Sequence, residues 1–81
     1  MIKTETIKDE DGTTYAGYEF TIKKTTYSVV KVTGKYNYIN VKQENNRRSN
    51  FGKDFKTFDE AAKSYKNPQI KIELLKIELG L

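Results

Sequence analysis

Between Tyr27 and Lys42 the chain alternates like two strands joined through Gly34. It reads Tyr-Ser-Val-Val-Lys-Val-Thr, then Gly-Lys, then Tyr-Asn-Tyr-Ile-Asn-Val-Lys. Side chains on a strand point to alternate faces, so the length of the connection decides which residues of the two runs share a side. A two-residue turn, at Thr33-Gly34 or at Gly34-Lys35, places odd positions of the first run with even positions of the second. One face then carries Ser28, Val30, Val32, Ile39 and Val41, an aliphatic set suited to a core. The other carries Tyr27, Val29, Lys31, Tyr36, Tyr38 and Lys42, which is aromatic and basic.

The neighbouring segments extend this hairpin into a meander. Ile2 to Ile7 predicts a short strand, and Asp11-Gly12 supplies the positive φ of a tight turn. Asp9-x-Asp11-Gly12 also resembles the start of a calcium loop, but the glutamate such a loop needs at position twelve is Phe20, so the turn reading is preferred. Thr13 to Lys23 predicts a second strand, with Tyr18, Phe20 and Ile22 on one face and Glu19 and Thr21 on the other. The expectation is an α+β domain: an antiparallel sheet of three to four strands over residues 2–42, a basic loop over 43–56, and one or two C-terminal helices packed on one face.

Thr57-x-x-Glu60 is a capping box, and Phe58, Ala61, Ala62 and Tyr65 recur at helical spacing, which predicts a helix over about 58–66. Asn67-Pro68 interrupts it and can start another over about 68–79, with Gly80 as the stop. The Ile-Lys-Ile start leaves a strand open as the alternative there. On a helical wheel the apolar residues form two stripes: Ile70, Leu74, Ile77 and Leu81, and nearly opposite them Ile72, Leu75 and Leu79. One stripe can cover the sheet; the other needs a further partner, such as a second protomer.

Eighty-one residues predict one small domain, 1–81. No run approaches the roughly 20 apolar residues of a membrane span. The first residues lack the apolar core of a secretory signal, so the expectation is a cytoplasmic protein without membrane contact. The chain has no cysteine and no histidine, which removes thiolate metal sites, the commonest metal ligand and the commonest general acid/base. The carboxylates have ordinary places on strands and at helix starts, and the glycines belong to turns. These features predict a non-enzymatic protein with no cofactor.

Charge is unevenly spread along the chain. Residues 1–20 hold two lysines against five carboxylates, a net −3, whereas residues 21–56 hold nine lysines and arginines against two carboxylates, a net +7. A basic cluster interleaved with tyrosines is the footprint of a polyanion binder. Tyr27, Tyr36 and Tyr38 would stack on bases, while Lys31, Lys35, Lys42, Arg47 and Arg48 would neutralise phosphates. Cross-strand packing is the competing explanation for each tyrosine taken singly.

The segment Gly52-Lys53-Asp54-Phe55-Lys56-Thr57-Phe58-Asp59-Glu60-Ala61-Ala62-Lys63-Ser64-Tyr65, preceded by three strands, resembles the end of AP2-type DNA-binding domains. That resemblance implies a helix behind a three-stranded sheet whose other face enters the DNA major groove, with Tyr27, Lys31, Tyr36, Tyr38 and Lys42 near the DNA. The family's tryptophan and arginine-rich strand positions have no counterpart in this chain.

The leading expectation is a small DNA- or RNA-binding accessory protein. The abundance of Lys, Asn, Ile, Thr and Tyr matches AT-rich genomes, such as those of Gram-positive bacteria with their phages and mobile elements. The alternatives are a protein-binding module, such as a phage-encoded inhibitor of a host nucleic-acid enzyme, and a small structural homodimer built through Ile72, Leu75 and Leu79.

Overall fold

The computed structural model describes residues 1–45 and 52–80. Five strands follow one another as β1 (Ile2–Lys8), β2 (Thr14–Ile22), β3 (Thr25–Thr33), β4 (Tyr38–Glu44) and β5 (Lys53–Phe55). They form one sheet in the order β1-β2-β3-β4-β5, and every neighbouring pair is antiparallel. Two helices, α1 (Phe58–Lys63) and α2 (Pro68–Leu79), complete the α+β architecture. The short β5 arises inside the segment expected to be loop, where Phe55 pairs with Ile39 and sends its ring into the core.

Helix α1 begins where the capping box placed it. Thr57 Oγ1 accepts from the Glu60 amide at 3.1 Å, and the Glu60 carboxylate accepts from the Lys56 amide at 3.3 Å, one residue before the cap. The helix stops at Lys63, short of the expected Lys66, and the Tyr65 amide turns back to the Ala62 carbonyl. That early stop lets the Tyr65 ring pack against Tyr27 and Phe55. Residues 69–79 are helical. Asn67 Oδ1 accepts from the Gln69 amide at 2.9 Å, Pro68 sits in the first turn, and Gly80 closes the helix in the left-handed region.

The core lies between one sheet face and the helices. It gathers Phe20 from β2, Tyr27 and Val29 from β3, Ile39 and Val41 from β4, and Phe55 from β5 under Phe58, Ala61, Ile70, Leu74 and Ile77. Phe20 and Tyr27 stack at 5.0 Å with their planes 14° apart, and Tyr65 meets Tyr27 edge-on at 6.4 Å.

This arrangement overturns the expected sorting of the hairpin. Val32 pairs with Tyr38, Lys31 with Ile39 and Val29 with Val41, so odd positions of β3 face the same side as odd positions of β4. Five residues, 33–37, separate the paired Val32 and Tyr38, and this odd number reverses the parity that a two-residue turn would give. Gly34 holds it in place: at φ +135° the glycine lies against the Thr13 backbone, and a Cβ there would come within 2.8 Å of Thr13 Cα. Asn37 Oδ1 closes the loop by accepting from the Gly34 amide at 3.2 Å. Tyr27, Val29 and Lys31 therefore belong to the helix side, whereas Ser28, Val30 and Val32 belong to the opposite side.

Candidate functional site

The reversed parity separates the residues that the alternation grouped together. Tyr27 is a core residue, 8% exposed. Lys31 sits on the helix side with its Nζ 5.8 Å from the centre of the Phe58 ring. Together with Lys56, Tyr38 and Phe58 it lines an open recess of about 230 Å³, which Glu78 of α2 also borders. Lys35 and Tyr36 stand in the β3–β4 loop, where the Tyr36 ring is 63% exposed and the Lys35 ammonium lies 5.8 Å from its centre. Tyr38 and Lys42 alternate outward on the open face. Arg47 and Arg48 lie outside the described residues.

Among the described residues, the open face is mixed in charge rather than uniformly cationic. The register aligns Glu19, Ser28 and Lys42 in one row across the strands, and Thr21, Thr26 and Glu44 in the next. Asn40 on this face donates to Asp54 Oδ1 at 2.9 Å. At the end nearest the β3–β4 loop, Ile7, Tyr15, Val32 and Tyr38 form a partly apolar row. Tyr15 donates to the Asp9 carboxylate, which stabilises the neutral phenol and raises its pKa. The Asp11 carboxylate accepts from the Thr13 amide at 2.9 Å, and that bond lowers its pKa. This acidic turn borders the loop through the Gly34–Thr13 contact.

The basic residues also divide between the two ends of the sheet. Lys31, Lys35 and Lys56 gather near the β3–β4 loop, whereas Lys23 and Lys24 form the β2–β3 turn at the other end, with Lys42 and Lys53 in that half. The geometry the AP2 resemblance implied for Tyr27 and Lys31 is corrected accordingly, since both lie on the side the helices cover. Among the described residues, no group of three His, Cys, Asp or Glu side chains could hold a metal ion. No helix among them is long and apolar enough to cross a membrane.

A different surface is built from α2. Ile70, Leu74 and Ile77 are buried against the sheet at 4%, 1% and 1% exposure, while Ile72, Leu75 and Leu79 are 52%, 51% and 61% exposed. The two stripes read from the sequence are the two sides of this helix, apart from Leu81, which lies outside the described residues. Large apolar side chains scattered over a surface are ordinary, but three in a row along one exposed helix edge form a contiguous patch. No family model matches the chain, and neither a curated protein nor a solved structure does.

Proposed function

We propose that this protein is a non-enzymatic binding module that acts through protein–protein contact at the outer face of α2. The observation that carries this reading is the exposure of Ile72, Leu75 and Leu79 on a helix whose other stripe already covers the core. Burying what each of these side chains still exposes is worth roughly 1–1.5 kcal/mol, and the fold itself does not collect that energy. A host-protein inhibitor and a homodimer both use a surface of this kind. The test is retention of a protein, further copies of this chain included, from a nuclease-treated bacterial lysate by the immobilised chain. A stoichiometric protein held by the wild type and lost by a folded Leu75→Glu variant is the expected result. Equal retention by both forms overturns the reading, as does retention by neither when the chain is also monomeric in solution.

Nucleic-acid binding is the second reading, and the exposed Tyr36–Lys35 pair favours it. An aromatic ring beside an ammonium offers stacking for a base and charge for its phosphate, and Tyr38 with Lys31 and Lys56 extends the same corner. This geometry suits a single strand better than a duplex, because stacking requires an unpaired base. Tyr36→Ala is expected to weaken oligonucleotide binding about tenfold or more without changing the melting temperature. Affinity should fall steeply between about 50 and 200 mM salt. Fluorescence anisotropy with a labelled oligothymidine measures both effects, and salt-independent binding or an unaffected variant sinks this second reading.

A further inference from the structure

We infer that the partner of the α2 stripe is a second copy of this chain, with the two helices antiparallel about a twofold axis through Leu75. This inference rests on the protein-contact reading above. Leu75 lies near the middle of the stripe, so the twofold brings Leu75 onto its counterpart and Ile72 toward Leu79 of the other protomer. The edges of the stripe supply the orientation. Lys71 and Glu78 are both exposed and stand seven residues apart on one edge, two helical turns, nearly equidistant from Leu75. An antiparallel twofold keeps like edges together and reverses their direction, so Lys71 of each protomer meets Glu78 of the other.

Neither Lys71 nor Glu78 forms an ion pair among the described residues. On the opposite edge Lys76 is already engaged with Glu73 at 3.4 Å, which tempers the approach of the two Lys76 side chains. Opposed helix dipoles favour the same direction of pairing. The stripe is small beside the roughly 800 Å² per partner of a standard interface, so the association is weak and governed by concentration.

Sedimentation equilibrium from about 10 μM to 1 mM chain is expected to run from monomer toward dimer. Leu75→Glu should remain monomeric throughout. Lys71→Glu should weaken the dimer about tenfold, and the double exchange Lys71→Glu with Glu78→Lys should restore it. Circular dichroism confirms that each variant is folded, as expected for exposed positions. Since the chain has no cysteine, orientation can be read directly: a mixture of Lys71→Cys and Glu78→Cys proteins should form the mixed disulfide in preference to either symmetric one.

A monomeric wild type at 1 mM overturns the self-pairing, as does a dimer that Leu75→Glu leaves intact. Failure of the double exchange to rescue, or preferential symmetric disulfides, overturns the antiparallel arrangement. If the wild type is monomeric yet the lysate experiment still gives capture that depends on Leu75, the stripe serves a different protein and only self-pairing falls. If both experiments fail, the protein-contact reading falls as well.

Discussion

Tyr27→Ala is expected to destroy the fold, whereas Tyr36→Ala leaves it intact. Tyr27 lies on the covered face of the central strand β3, stacked 5.0 Å from Phe20 and met edge-on by Tyr65 at 6.4 Å. Truncating a large buried aromatic to alanine costs about 3–5 kcal/mol. A domain of this length has a total stability of roughly 4–12 kcal/mol, so the variant forfeits much of it. In a thermal melt followed by circular dichroism, Tm should fall by about 15 °C or more, or no cooperative transition should remain. Tyr36 is 63% exposed, and its truncation should lie within about 0.5 kcal/mol of the wild type. Similar melts for the two variants would contradict the register of β3 against β4.

The second large effect separates two leucines adjacent in the chain. Leu74 is 1% exposed and belongs to the cluster of Phe20, Val29 and Val41 on the sheet, whereas Leu75 is 51% exposed. Leu74→Ala removes methyl groups from a packed site and leaves a cavity, at a cost of about 2–5 kcal/mol. Leu75→Ala should change monomer stability by no more than about 0.5 kcal/mol. Urea denaturation at low chain concentration measures both, because self-association would otherwise add stability to the Leu75 form. Comparable losses from the two substitutions would place α2 differently against the sheet from the arrangement described above.

Local signals in this chain were legible where a residue's chemistry fixes a backbone state. Thr57 with Glu60, Asn67 with Pro68, and Gly80 mark helix ends through hydrogen bonds and φ preferences that act within a few residues. The two stripes of α2 were readable for a related reason, since helical periodicity is set by the helix itself. The sheet faces were different, because strand alternation is settled only by the length of the connection between strands. In β3, Val29 and Val30 are both apolar, so composition gives no preference for either face, and an even turn at Gly34 was the economical choice.

The deciding information lay one turn earlier. Phe20 pairs with Tyr27 across the Lys23–Lys24 turn, where Lys23 itself takes φ +57°. The alternation places Phe20 on the same face as Tyr18 and Ile22, so a tight turn at that lysine pair puts Tyr27 and Val29 on the core side. Two adjacent lysines are weak turn formers, and the left-handed Lys23 carries no glycine or asparagine to announce it. The site was less legible than the fold for the same reason. A basic segment of sequence is not a basic surface when alternate residues face opposite sides of a sheet.

The strand order β1 to β5 has a consequence for how the protein is made. Each strand pairs with its neighbour in the chain, so the sheet closes through short-range contacts that form quickly. Its cover follows the opposite schedule: Ile70, Leu74 and Ile77 come after every strand and must dock across the sheet's apolar face. During synthesis the sheet can be complete while Phe20, Tyr27, Val29 and Val41 still face water. The interval before α2 leaves the ribosome is therefore when this chain is most exposed to aggregation and to capture by a chaperone.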